Sequence, residues 1–592
     1  MNNDQIAEAF EQIAQLLQVE DANVFRIRSY ERAAETIRGL GPELSDIRES
    51  EAGLQGIPGI GEAIADKIEE LLDTGELSFL QDLLDRYPPG FLELLKIPGL
   101  GPKRAALVFH ELGVGSVDQL EEACVREQVR ELKGMGAKSE QKLLQAIESY
   151  WRGRERALLG AMLPQAETIV EFLRELPAVI SADYAGSVRR GRETVGDLDV
   201  LATSDDPAAV CKAFGEGGLL AEVTSAGGTK VSGTLPGGRQ VDLRVVAPES
   251  YGAALVYFTG SQQHNIRLRE RGQDRDLKVN EYGVFCADEH DGDDQEGERV
   301  AGDTEAGVYA ALDLAWIPPE LREDRGEIQA AAAGELPDLI ESSDIRCDLH
   351  IHTNWSDGRA SIAQVAESAR ERGYTHLGIT DHSASLHVAG GISADAVRAQ
   401  REEVDALNSR YVEQDADFRV LLGHEADITT DGALDLTYEV FDTVDFVVGA
   451  IHQGMSADAD RMTARVVGAI ETGMVDLIAH PTGRVLQTRE AHGMHVSELA
   501  GAAAQFDVAL EISATPDRLD LSDVHARLAQ ERGAKLSINT DAHSIASLDF
   551  MRFGVLTARR GWIEAETVIN TWPLERLTTA WLQQRRGSSE SA

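Results

Sequence analysis

Asp197 and Asp199 stand one residue apart in Gly-Asp-Leu-Asp-Val-Leu, with Leu198 and Val200 alternating beside them. On a strand, side chains at i and i+2 share a face. Both carboxylates therefore project together while the two apolar residues turn to a core. Carboxylates this close repel each other unless a cation lies between them. Hard Mg²⁺, which prefers carboxylate and phosphate oxygens, is the natural occupant. Just upstream, Gly186-Ser187 offers a tight turn with free N–H groups and a hydroxyl, and Arg189 and Arg190 add positive charge. Such a turn suits a triphosphate. An isolated Asp-X-Asp is commonly a solvated strand end. The glycine, serine and paired arginines at this spacing point instead to metal-dependent chemistry on a nucleotide.

A second set of chemical residues begins after residue 344, where twelve of the fifteen histidines lie. His350-x-His352 ends an apolar run, so two imidazoles share a face; Asp357, Asp381-His382, Glu425, His452, His480 and Asp541-x-His543 follow at the ends of later runs. Mixed imidazole and carboxylate ligands suit Zn²⁺, Mn²⁺ or Fe²⁺ better than Mg²⁺.

The chain that must position these groups has 592 residues, enough for three to five domains. No apolar stretch is long enough for a transmembrane helix, and the N-terminus lacks the basic region of a signal peptide. The four cysteines form no Cys-x-x-Cys, which points to a reducing cytoplasm. Residues 4–38 carry helical periodicity, and three related units follow. Each is an apolar run, a Gly-apolar-Gly turn (Gly59/Gly61, Gly99/Gly101) or its counterpart Gly134/Gly136, and then an amphipathic helix. Glycine lets the backbone approach a phosphate, and the following helix aims free N–H groups at it. This is the helix-hairpin-helix pattern of DNA-backbone binding.

Residues 157–245 alternate helix and strand around the carboxylates. Residues 287–305 read as an acidic exposed loop, and 318–343 as a linker. Seven apolar runs, at about 347–353, 376–383, 419–427, 446–452, 475–481, 508–513 and 535–543, alternate with helices in a barrel-like α/β pattern. The net charge of −45 and only ten lysines are unusual for a protein that meets DNA. One reading is an acidic protein that does not touch DNA; the other, favoured here, is adaptation to molar salt, where an acidic surface keeps a protein soluble. Basic residues still gather at 133–156, with Lys133, Lys138, Lys142, Arg152, Arg154 and Arg156.

The Gly-Ser…Asp-X-Asp segment resembles the nucleotidyltransferase signature, in which a neighbouring strand supplies a third carboxylate; Asp242 stands in the alternating run 239–246. Together with Tyr-Phe-Thr-Gly-Ser at 257–261, the three hairpin units and the histidine constellation, nearly the whole chain resembles bacterial and archaeal family X DNA polymerases with a C-terminal polymerase-and-histidinol-phosphatase (PHP) domain. The resemblance implies a helical lyase-like domain at 1–85, helix-hairpin-helix fingers at 86–150, and an α+β nucleotidyltransferase palm at 151–248. It further implies a thumb at 249–320, a linker at 321–343, a distorted (β/α)7 PHP barrel at 344–580 and a polar tail at 581–592.

It also implies roles. Asp197, Asp199 and Asp242 would hold two Mg²⁺ or Mn²⁺ ions; Gly186, Ser187 and Arg190 would bind the triphosphate. Tyr257, Phe258 and Gly260 would line the sugar, while Asn265 and Arg269 would face the nascent pair and template. In the PHP domain, His350, His352, Glu425 and Asp541 would bind one Zn²⁺ or Mn²⁺ ion, Glu425, His452 and His480 a second, and Asp357, His382 and His543 a third. The implied activities are short-gap filling in DNA repair and metal-dependent 3′→5′ exonuclease or 3′-end processing, with abasic-site cleavage an open addition. Lys67 aligns with the lyase nucleophile, although Ala63 and Arg26 stand where the family pattern has helper lysines. Gapped or nicked DNA and dNTPs are the expected partners of a monomer. Rival readings are a histidinol-phosphatase-type phosphoesterase fused to a DNA anchor, a DNA-end scaffold, and an RNA nucleotidyltransferase.

Overall fold

Helix Asn3–Val19 opens the chain and buries Ile6, Phe10, Ile13, Leu16 and Leu17, the stripe its periodicity predicts, in a core shared with helix Val24–Arg38. The computed structural model describes all residues except 2, 21, 41–42, 49–52, 76, 85, 89, 98, 154–155, 288–296 and 590–592. Most of the acidic stretch, and Arg154 with the Arg152 side chain, lie outside the described part. The chain divides into two units, Met1–Arg156 and Ala157–Ala592.

The first unit is helical throughout its described residues. Its three hairpin turns share one device. Gly59, Gly99 and Gly134 adopt φ of +91°, +87° and +82°, a region that costs other residues strain. Helices Glu62–Thr74, Pro102–Leu112 and Ala137–Gly153 then start directly behind Gly61, Gly101 and Gly136. A Cβ at Gly61, Gly101, Gly134 or Gly136 would meet nothing within 4 Å, so these turns lie open.

The second unit begins with a five-stranded mixed sheet in the order Ser181–Tyr184, Leu198–Thr203, Gln240–Val246, Lys230–Thr234, Glu222–Ala226. Leu198, Val200, Val241, Leu243 and Val245 face a core shared with helices Leu159–Glu175 and Pro207–Glu216. A three-stranded antiparallel sheet (Leu277–Asn280, Gly283–Cys286, Arg299–Ala301) with helices Tyr251–Thr259, Gln262–Gln273 and Glu305–Ala311 forms the next layer.

The C-terminal part is a curled parallel sheet. Strands His376–Ile379, Arg419–Asp427, Phe446–Ala450, Leu477–Ile478, Ala509–Ser513 and Lys535–Asn539 pair in sequence order. The expected first strand, 347–353, is irregular. It sits between the sheet's two edges, bridged at Ile351–Ala542, with the Thr380 N–H donating to the Ile351 carbonyl. Side chains replace part of its ladder: the Asp348 carboxylate accepts from the Thr540 N–H, and Asn539 Oδ1 accepts from the Leu349 N–H at 3.0 Å.

Two segments expected as linker and polar tail are packed against the rest of the second unit. Residues 321–343 are no free linker: Leu321, Arg322, Glu327 and Ile340 are buried, and Glu327–Ala333 is helical. The charges there are paired, which makes burial tolerable. Nor is 581–589 a loose tail. Trp581 and Leu582 close the barrel floor with Leu577, and Arg585 pairs with Asp476 at 3.0 Å. Among the described residues no helix is long and apolar enough to cross a membrane, and the four cysteines are free.

Candidate active sites

Parallel pairing of Leu198–Thr203 with Gln240–Val246 makes Asp199 and Asp242 direct partners, and Asp197 immediately precedes the first strand. Burial first, then the charges of Asp197 and Asp242, push the Asp199 carboxyl up to about 7. A bound cation would relieve that crowding. Asp242 Oδ1 is buried without a hydrogen-bond partner, and its Oδ2 accepts from Lys230 Nζ at 3.1 Å. Three clustered carboxylates with an orphaned oxygen fit a hard divalent ion.

Gly186 lies against this group at φ +63°, and a Cβ there would stand 2.8 Å from Asp199 Oδ2. Both conditions exclude a side chain. Ser187 follows, half-buried, on the same short helix Gly186–Arg189. Arg190 differs from expectation: Nε donates to Glu323 at 3.0 Å and Nη1 donates to the Thr259 carbonyl. In this arrangement it braces the turn and does not point into an open phosphate site. Its neighbour Arg189 is bound twice to Glu305, at 2.7 and 3.0 Å. Tyr257 is exposed and meets Phe258 edge-on at 5.1 Å; the Arg244 guanidinium covers Phe258 at 4.6 Å. Gly260, at φ +67°, ends that helix. Asn265 Nδ2 donates to the Tyr257 carbonyl at 2.7 Å, and Arg269, exposed, donates to the Asn265 carbonyl at 3.3 Å.

In the first unit, Lys67 Nζ donates to the Ala63 carbonyl at 3.3 Å and lies 5.5 Å from the Phe79 ring centre, a ring it shares with Arg26.

All nine expected residues of the histidine constellation converge. Glu425, fully buried, is the hub: His382 Nδ1 lies 2.5 Å from it, His350 Nε2 3.4 Å, His452 Nε2 3.5 Å, His352 Nε2 3.6 Å and His480 Nε2 3.6 Å. His352 Nε2 also reaches Asp541 at 3.1 Å, and Asp357 lies 3.3 Å from His543 and 3.6 Å from His382. Among the described residues, three groups could each hold an ion: His350, His352 and Asp541; His382, Glu425 and His452; and His352, Asp357, His382 and His543. His352 and His382 each fall in two of these groups, and His452 Nε2 and His480 Nε2 both lie near Glu425 Oε1, at 3.5 and 3.6 Å. His350 Nε2, both His352 nitrogens and Glu425 Oε2 are buried without hydrogen-bond partners, as metal-facing atoms are. Burial opposes protonation of His382, but Glu425 and Asp357 outweigh it and raise the imidazole to about 10. His480 and Asp541 hold positive φ, +29° and +49°, a backbone strain typical of functional sites.

Sequence reasoning missed the groups that orient these ligands. Glu511 Oε1 lies 2.8 Å from His350 Nδ1 and accepts from Asn539 Nδ2 at 3.0 Å, while its Oε2 accepts from the His480 N–H at 2.7 Å. A carboxylate on the outer nitrogen aims the inner one at a metal. Its signal was a lone glutamate inside the apolar run Ala-Leu-Glu-Ile-Ser. Asp427 accepts from the His452 N–H at 3.0 Å. Asp381, beside His382, instead pins residues 353–356, accepting from the Thr353 N–H at 2.8 Å and from Thr353 Oγ1 at 2.7 Å.

Comparison with known proteins agrees with this layout. Residues 1–77 match a helix-hairpin-helix domain, 91–149 a SAM-like helix-hairpin-helix tandem, 254–323 the DNA polymerase beta thumb and 348–515 the PHP domain. DNA polymerase lambda of Rattus norvegicus is 25% identical over 349 residues, covering 54% of this chain and 56% of that one. The Arabidopsis thaliana DNA polymerase lambda is 26% identical over 303 residues, covering 46% and 54%. The DNA polymerase/3′-5′ exonuclease PolX of Bacillus subtilis (strain 168) is 37% identical over 577 residues, 97% of this chain and 98% of that one. A likeness running through both halves at that level leaves one family that accounts for the whole architecture, and the chain belongs to it: the family X DNA polymerases with a C-terminal PHP domain.

Proposed function

We propose that the chain fills short gaps in duplex DNA from dNTPs and trims 3′ ends with its PHP domain. The observation that carries this reading is the presence of two separate ion-ready centres in one chain, a carboxylate triad beside a phosphate turn and a nine-residue imidazole–carboxylate cluster.

Asp197, Asp199 and Asp242 would hold Mg²⁺ or Mn²⁺. Such ions supply charge neutralisation for an incoming triphosphate and acidify a primer 3′-hydroxyl. The chain's own part is positional. Gly186 lets the turn approach Asp199, and Ser187, next on the same short helix, would offer its hydroxyl to a triphosphate. Tyr257, with an exposed ring, would line the sugar. In the second centre, Glu511 orients His350 and the backbone of His480, and Glu425 collects five imidazoles, so that Zn²⁺ or Mn²⁺ would be held for phosphodiester hydrolysis. The open glycine turns of the first unit would grip the DNA backbone through N–H groups. Lys67 remains the candidate lyase nucleophile, and borohydride trapping on an abasic duplex tests it.

The deciding experiment uses a gapped duplex with Mg²⁺ or Mn²⁺. Asp242→Ala loses incorporation and keeps exonuclease; Asp541→Ala does the reverse. Loss of both activities in either variant would sink the assignment of separate centres.

A further inference from the structure

Residues 320–327 read Glu-Leu-Arg-Glu-Asp-Arg-Gly-Glu, and each of the six charged side chains pairs with a different partner. Glu320 accepts from Arg559 at 2.7 Å, Arg322 donates to Glu305 at 2.8 Å, and Asp324 accepts from Arg267 at 3.0 Å. Arg325 donates to Asp523 at 2.9 Å, and Glu327 meets His264 at 2.7 Å. Glu323 stands between the two catalytic halves. Its Oε1 accepts from Arg190 Nε at 3.0 Å and from Arg560 Nη1 at 2.9 Å. The same Arg560 Nη1 donates to the Arg190 carbonyl at 2.8 Å, and Nη2 donates to Asp523 at 2.8 Å. Arg560 belongs to helix Met551–Arg560 of the PHP domain and is 5% exposed. One residue beyond Arg190, Gly191 sits at φ +65° with Leu556 Cβ 3.4 Å from where its own Cβ would be. The helix therefore lies close against the turn as well as bonding to it.

We propose that Arg560, with Glu323, is a positioning residue for nucleotide insertion: a PHP-domain side chain that fixes the Gly186–Gly191 turn of the polymerase centre. The inference rests on the polymerase reading above. The turn's two ends are held differently. Gly186 is set against Asp199 by its own sheet, whereas the Arg190 guanidinium is held by the Thr259 carbonyl and Glu323, and the Arg190 carbonyl by Arg560. A turn meant to cradle phosphate oxygens needs sub-ångström placement. Here part of that placement is lent by the neighbouring domain, which has its own separate metal cluster.

The test is single-nucleotide insertion on a one-nucleotide gap by the full chain, measured beside exonuclease activity on a 3′ single-stranded tail. Arg560→Met keeps the stem and removes the guanidinium. The KM for dNTP should rise about tenfold or more while kcat changes less than threefold, gapped-DNA binding without dNTP stays within twofold, and exonuclease stays within twofold. Arg560→Lys, which retains a cation, should recover part of the KM. Breaking a buried pair can unfold the region. The double variant Arg560→Met/Glu323→Met, with an apolar pair in place of the charged one, therefore gives a second reading: restored exonuclease with KM still raised supports the proposal. An unchanged KM in either variant that retains exonuclease overturns it, as does parallel loss of both activities in the single and the double variant. If the unaltered chain inserts no nucleotide, the polymerase reading itself has failed and this inference falls with it, an outcome distinct from an unchanged KM.

Discussion

Residue types announced the two centres because metal ligation and phosphate binding leave few chemical options. Asp197, Asp199, Asp242 and the nine residues of the Glu425 cluster were legible as carboxylates and imidazoles at or near strand ends. What faces their outer atoms was not legible, since a hydrogen bond from a distant strand has no local spacing. Glu511 is the clearest case. Glu511→Ala should lower metal occupancy and exonuclease by about 10–100-fold, the usual cost of removing such a partner. Metal content by mass spectrometry and tail-trimming rates check it, and gap filling should stay within twofold. Gly186→Ala places a methyl 2.8 Å from Asp199 Oδ2 at a left-handed φ, so insertion should fall by at least 100-fold with exonuclease intact; primer extension decides.

At the scale of elements, strands with alternating apolar residues and the glycine-turn helices were readable from periodicity. The segment 320–327 was not. Six charges in eight residues look like a solvated linker, and only their partners, scattered from Arg190 to Arg560, make them interior. The first barrel run failed for a related reason: Asp348 and Asn539 supply side-chain bonds where a ladder was expected. Glu323 also carries a pH signature. Burial opposes its ionisation, but Arg560 and Arg190 outweigh it and hold its carboxyl down at about 2, against an ordinary 4.5. A depressed folded-state value means stabilisation that is complete above about pH 4.5 and is lost as pH falls toward 2. The difference corresponds to roughly 3 kcal/mol. Urea unfolding should therefore show Glu323→Gln well below the unaltered chain at pH 7, with the gap narrowing by pH 3. A constant gap would mean that the carboxylate's charge is not what stabilises the junction.

For the whole molecule, the net charge of −45 and ten lysines set the terms on which it meets DNA. The three open glycine turns offer backbone N–H groups, which are neutral. Affinity built on cations falls steeply with salt because counterions are released, and neutral donors release few. Gapped-duplex binding, followed by anisotropy from 0.1 to 1 M KCl, should weaken with a log–log slope shallower than about −3, as counted by few neutralised phosphates. A slope near −6 or steeper would show that arginines and lysines carry the grip after all. Removing divalent ions should also lower the melting temperature, because the buried nitrogens and carboxylates of the PHP cluster then lose a ligand that binds only the folded state; calorimetry with and without chelator checks this.

The segment 320–327 has a last consequence, for how such proteins can be recombined. A chimaera that joins the polymerase half of one relative to the PHP half of another would ordinarily be spliced where the sequence looks most dispensable. Here that splice would part Glu320 from Arg559, Glu323 from Arg560 and Arg325 from Asp523. In this chain the two halves are thus matched through these pairs: an exchange that keeps them must carry the eight-residue segment together with Arg559, Arg560 and Asp523.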